Sequence, residues 1–260
     1  MLGIGERLRK EEERALTHCK ETDEETVPDG ERKGRLYIGI DAAKAHIGGS
    51  WHDVKVATLY EAKADSEGRD HPLNTEYCAA QEVSERFGWR TYSQARSRGL
   101  ERFRELVVIG DGADFIWNQA ATHFPTATEV VDFWHASEHI FSLSRTQYGE
   151  GSVQGRRWAN ERVRSLKEEG PVPLLRALKR RKPASDAAKE AVRLERGYFS
   201  KNRKRMNYPT YRDRGMMIGS GPVEAGCKTV VCNRMKQAGM RWRTKHAYGV
   251  ARCARTAPGE

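Results

Sequence analysis

A run of four apolar residues, Leu106-Val107-Val108-Ile109, stops abruptly at Gly110-Asp111-Gly112, and this constrains the fold more than any other feature of the chain. An unbroken apolar strand needs cover on both faces, which helices on either side of a sheet supply. A second such segment, Glu129-Val130-Val131-Asp132-Phe133, leads straight into a helical pattern holding His135 and His139. Between them a helix is predicted from Ala113 to His123, ending before Pro125. Upstream, Leu36, Ile38 and Ile40 alternate with Tyr37 and Gly39 as far as Asp41, and Val54 to Tyr60 alternates again, so both read as paired strands. Residues 76–104 read as mainly helical. Strands interleaved with helices predict an α/β sheet.

Four segments follow from composition. Residues 1–34 form a loose charged leader, and residues 35–150 form the first part of the core. Residues 151–217 are an Arg/Lys/Ala/Leu-rich helical insertion broken at Pro171, Pro173 and Pro183. Residues 218–260 carry a last helix and a basic tail; that helix opens at Gly221-Pro222 and ends near Gln237-Ala238-Gly239. The net charge of +10 is split unevenly along these segments. Residues 1–150 hold 19 Lys and Arg against 27 Asp and Glu, whereas residues 151–260 hold 27 against 9. So basic a C-terminal part is the footprint of a polyanion binder, because neutralised phosphates release condensed counterions; an Arg-rich solvated helical surface would give the same balance. No stretch approaches the ~18 apolar residues of a spanning helix, and the N-terminus lacks the apolar run of an export signal. The five cysteines are an odd, scattered set. They predict reduced thiols in a cytoplasmic protein with no membrane partner.

Three acids have surroundings suited to metal-assisted phosphoryl transfer, which needs hard oxygen ligands converging at one spot. Asp41 closes the first predicted strand, Asp111 closes the buried one between two glycines, and Glu224 lies in the first turn of the last helix after Gly219-Ser220-Gly221-Pro222. Carboxyl ends of strands are where open α/β sheets bind ligands. Each acid alone also has a plain structural reading, as a strand end, a helix cap, or a first-turn acid near the positive end of a helix dipole.

The strings VVIGDGADFIWNQAATHFPTATEVVDFWHASEHI (107–140) and MIGSGPVEAGCKTVVCNRMKQAGMRW (217–242) resemble insertion-sequence transposases of the DDE type, most closely the Kra-type group related to Mutator-like transposases. The likeness spans about residues 35–245 and keeps several dense motifs in the family's order. It implies a ribonuclease-H-like mixed sheet with an all-helical insertion before the last catalytic helix. It also implies an enzyme that uses two Mg²⁺ or Mn²⁺ ions to cleave a DNA strand and join the end to target DNA. By position, Asp111 matches the second catalytic acid and Glu224 the last. Asp41 matches the first, although Asp41-Ala42-Ala43 stands where the group commonly has Asp-Gly. Asp132-Phe133-Trp134-His135 matches the group's Asp-x-x-His motif, which makes Asp132 and His135 active-site neighbours; the plain reading is an N-cap Asp132 and a core His135. A zinc site of Asp132, His135 and His139 is a minor alternative. Against the group, both ends look short.

For double-stranded DNA, the expected contacts are Lys228, Arg234, Lys236, Arg241, Arg243 and Lys245 with Trp242, and in the insertion Lys201, Arg203, Lys204 and Arg205. Trp242 could equally plug the edge of the core, and Cys227 fits an apolar helical stripe with Val223, Val230 and Val231. The resemblance implies a homo-oligomer assembled on DNA. The rival expectations are a nuclease or resolvase of the same core, and an inactive DNA-binding remnant.

Overall fold

The computed structural model describes residues 10, 13–19, 21, 33–64, 70–183, 185–236 and 238–243. The fold is mixed α/β, built on a five-stranded sheet of parallel and antiparallel neighbours that is compatible with a ribonuclease-H-like architecture. Its strands are β1 (Lys33–Ile47), β2 (Ser50–Ala64), β3 (Asp70–Ala80), β4 (Phe103–Gly110) and β5 (Thr128–Val131), in the order β3-β2-β1-β4-β5. Val107, Val108 and Ile109 are fully buried, as the unbroken apolar run requires. Among the described residues, contacts divide the chain into two compact units. The first takes in residues within 1–108, 114–128 and 221–260, and the second those of 109–113 and 129–220.

The first unit is organised by a long hairpin. Gly48 and Gly49 both have positive φ, 60° and 93°, the backbone of a two-residue turn that matches strand twist. From this turn β1 and β2 pair antiparallel, from Ile47 opposite Ser50 back to Tyr37 opposite Tyr60. Asp41 therefore sits mid-strand, opposite Val56, and does not end β1. Ala42-Ala43-Lys44 carry no strand signal of their own, and the hairpin pairing extends β1 through them. β3 is a strand where residues 76–80 read as helix. It pairs with β2 along the sheet edge, with a bulge between Leu59 and Glu61, and residues 71–74 are exposed. Two helices follow the expected pattern, α1 (Ser84–Ser97) and α2 (Asp114–His123). Near the start of α1 the buried Arg90 guanidinium clasps the Glu82 carboxylate at 2.6 and 3.0 Å.

Helix α8 (Gly221–Gly226) belongs to the same unit and continues through a wider, π-type turn (Cys227–Cys232) into a final turn (Asn233–Met235). Val223, Cys227, Val230, Val231 and Met235 are among its buried positions, and the last four pack with Ala45, Ile47, Val54, Val56 and Ala79. Two glycines let it approach: a Cβ on Gly39 would lie 1.9 Å from a Val223 methyl, and one on Gly226 would lie 2.7 Å from the Tyr77 ring. Beyond the helix, Trp242 returns to the hairpin tip. Its N–H donates to the His46 carbonyl at 3.0 Å, and its carbonyl accepts from Gly48 N–H at 2.8 Å.

The second unit is helical, comprising α3 (Phe133–Tyr148), α4 (Val153–Glu169), α5 (Pro171–Arg180), α6 (Asp186–Lys201) and α7 (Tyr208–Asp213). Side-chain caps from Asp132, Ser152 and Ser185 open α3, α4 and α6, and Pro171 takes the first position of α5. The predicted insertion is helical as expected, and residues 129–150 pack with it. Tyr208 and Tyr211 donate to the Val131 and Glu129 carbonyls at 3.0 and 3.2 Å. Arg205 pairs with the Glu129 carboxylate at 2.5 Å. Among the described residues, no helix is long and apolar enough to cross a membrane.

Candidate functional site

Asp41 and Glu224 fall in the first unit. Asp41 is half-buried, and Glu224 is exposed in the first turn of α8. One Asp41 oxygen accepts from Ala42 N–H at 2.7 Å, and the other accepts from the Cys227 thiol at 3.2 Å. Burial pushes the Cys227 thiol well above its ordinary range. The Asp41 charge and hydrogen bond push it the same way, as do weaker contributions from Cys232 and Glu224. Cys227 is thus a protonated donor set among the carboxylates of Asp41 and Glu224. The helical stripe gave it a packing role; its bond to Asp41 left no trace in the sequence, because the two lie 186 residues apart.

Asp111 falls in the second unit, at the end of β4. Its carboxylate accepts from Ala113 N–H at 2.8 Å, which starts the turn into α2, and its carbonyl accepts from the Tyr198 hydroxyl at 2.8 Å. Gly112 has φ 106°, a backbone that side chains avoid, and a Cβ there would meet Tyr198 at 2.8 Å and Asn202 at 3.1 Å. Burial raises the Tyr198 phenol, aided by the charges of Asp111, Glu195 and Asp132. Neither Tyr198 nor Glu195 is legible in the sequence: they stand in the insertion, whose charge pattern marks no site.

Asp132 is the N-cap of α3. One oxygen accepts from the N–H groups of Trp134 (2.6 Å) and His135 (3.0 Å). The other accepts from Ser220 N–H at 2.6 Å and from the Ser220 hydroxyl. Burial raises its pKa against the lowering pull of these backbone donors. Phe133 N–H adds a bond to the Ile218 carbonyl at 2.8 Å, so the start of α3 is tied to residues 218–220 at three points. Asp132 performs the capping role, and both of its oxygens are engaged. His135 is half-buried and lines a cleft of about 540 Å³ with Glu138, His139, Phe141, Ser142, Arg145 and Glu195. In that cleft His139 Nδ1 bonds Glu195 at 2.8 Å and its ring stacks on Tyr198 at 3.9 Å.

The donor chemistry of Asp41, Asp111 and Glu224, carboxylate oxygen throughout, fits hard divalent cations. Among the described residues, no three His, Cys, Asp or Glu side chains are gathered as a metal-binding group, and the set of Asp132, His135 and His139 is not assembled as one either. Of the expected DNA contacts, Lys228, Arg234, Lys236, Arg241 and Arg243 are exposed, as are Lys201, Arg203 and Lys204. Arg205 is committed to Glu129. Trp242 packs against the core of the first unit and gives its indole N–H to the Met235 carbonyl at 3.1 Å, so it takes the core-edge role. Lys245 lies outside the described residues. No protein-family model matches the chain, and no curated protein matches it.

Proposed function

We propose that the chain is the catalytic domain of a DDE-type DNA transposase of the Kra-type group, acting in the cytoplasm as a homo-oligomer on double-stranded DNA. The observation that carries this reading is the seating of α8 on β1. Val223 fills the place of the absent Gly39 side chain, and Cys227 bonds Asp41. The helix bearing Glu224 is thereby held on the strand bearing Asp41, the two positions to which the resemblance assigns the last and first acids.

In this reading Asp41, Asp111 and Glu224 are the metal ligands, and bound Mg²⁺ or Mn²⁺ would supply activation of the attacking oxygen and neutralise charge on the leaving one. Glu224, exposed at the head of its helix, accepts a hydrogen bond from the attacking water. Water oxygen bonds to phosphorus, the bond from phosphorus to the 3′ oxygen breaks, and the strand ends in a 3′-hydroxyl facing a 5′-phosphate. That hydroxyl then attacks a target phosphate and displaces its 3′ oxygen, exchanging one phosphodiester for another with no covalent enzyme intermediate. The exposed cations on and after α8 hold the sugar-phosphate chain.

The test is a nicking and joining assay in Mg²⁺ or Mn²⁺, with the chain beside Asp111→Asn and Glu224→Gln. The expected result is nicked and joined products from the parent and DNA binding without either product from the variants. Nicking without joining favours a nuclease or resolvase. Salt-dependent binding with no cleavage by any of the three proteins favours a DNA-binding remnant and ends the catalytic assignment.

A further inference from the structure

We propose that Tyr198 is the positioning residue for Asp111. The proposal rests on the reading above in taking Asp111 as a metal ligand. The phenol reaches the Asp111 carbonyl from α6, 87 residues further along the chain. Its ring lies against Gly112, where a Cβ would come within 2.8 Å. The turn that aims the Asp111 carboxylate is thus held at its carbonyl by one hydrogen bond and pressed at the next residue by the ring that makes it. The ring is itself fixed. His139 stacks on it at 3.9 Å with the planes 13° apart, Glu195 holds His139 Nδ1 at 2.8 Å, and Asn202 donates to the Tyr198 carbonyl at 3.2 Å. Groups that orient a ligand from behind set metal affinity and activity by ~10–100-fold, and Tyr198 has this relation to Asp111.

Tyr198→Phe removes the hydroxyl and keeps the stack; Tyr198→Ala removes both. Hydrogen exchange over residues 110–114, measured without metal or DNA, reads the turn directly. Tyr198→Phe is expected to speed exchange there about fivefold, the factor carried by one net hydrogen bond. With DNA, Tyr198→Phe is expected to raise the half-saturating Mn²⁺ concentration for nicking by ~10-fold or more. The Kd for DNA should stay close to the parent's, and Tm should fall by no more than the ~2–4 °C that one hydrogen bond carries. A merely structural tyrosine would lower Tm by as much and leave the metal dependence alone. Unchanged exchange over 110–114 in Tyr198→Phe overturns the proposal, as does an unchanged metal dependence in a parent chain that nicks. If the parent does not nick at all, the transposase reading falls, while the exchange measurement still decides whether Tyr198 holds the Asp111 turn.

Discussion

The contact between Gly39 and Val223 gives a prediction whose size and sign follow from geometry. A Cβ on Gly39 would lie 1.9 Å from one Val223 methyl and 3.3 Å from its Cβ, well inside any tolerable separation. Gly39 is a strand residue without positive φ, so alanine fits the backbone and would gain ~0.5–1 kcal/mol there from reduced chain entropy. Against this stands overpacking of a core contact, about 1–3 kcal/mol. Gly39→Ala is therefore expected to destabilise the chain by about 1–2 kcal/mol net. Val223 is 2% exposed, and Val223→Ala removes two methyl groups, about 1.6 kcal/mol by transfer before any cavity cost. In the double variant the new methyl at residue 39 occupies the vacated space, so the pair should cost no more than Val223→Ala alone. That is a coupling of at least the Gly39→Ala cost, about 1–2 kcal/mol. Urea titrations followed by far-ultraviolet circular dichroism measure all four corners of the cycle, and Tm should move by ~2–4 °C per kcal/mol. Additivity within about 0.5 kcal/mol, or a Gly39→Ala chain as stable as its parent, would refute the claim that this contact seats α8.

Three further outcomes are expected. Asp132→Ala removes a helix cap and strands the Ser220 N–H, so it should cost about 2–4 kcal/mol in thermal unfolding and speed hydrogen exchange at residues 218–220, whereas a loss under ~0.5 kcal/mol would deny the tie. Gly112→Ala combines backbone strain of ~1–3 kcal/mol at φ 106° with a clash against Tyr198, and its Tm should fall accordingly; an unshifted Tm would contradict the geometry. The Cys227 thiol ionises at higher pH in the folded chain than in the unfolded one. Its contribution to stability is therefore complete below the unfolded value and is lost as pH rises beyond it, above about 8.5. Cys227→Ala should flatten that alkaline decline, and an unaltered slope would count against it.

How far the sequence revealed the fold depended on burial. β4 and β5 were legible because strands covered on both faces need unbroken apolar runs, and β1 because Leu36, Ile38 and Ile40 alternate with less apolar neighbours. β3 was not, because an edge strand with Pro72, Asn74 at φ 51° and exposed residues 71–74 buries too little to print a period-two pattern. Asp41 reads as a strand end for a similar reason: pairing to β2, set by the Gly48-Gly49 turn, decides where β1 stops. Asp111, Glu224 and Asp132 stood out through the glycines or helix starts beside them. Tyr198 and the Cys227 thiol act through contacts between distant residues, and no local pattern encodes those.

The return of Trp242 to the hairpin tip has a bearing on how the polypeptide matures. The β1–β2 ribbon ends at Ala64, yet the apolar face it shares with α8 and the π-type turn can be covered only after the chain has been made past Gly221, more than 150 residues later. Most of the second unit, by contrast, is one uninterrupted stretch, residues 129–220, able to acquire its helices while the ribbon still waits. Nascent chains halted before residue 221 would display that bare apolar face, making chaperone engagement at this stage of translation a direct corollary of the threading.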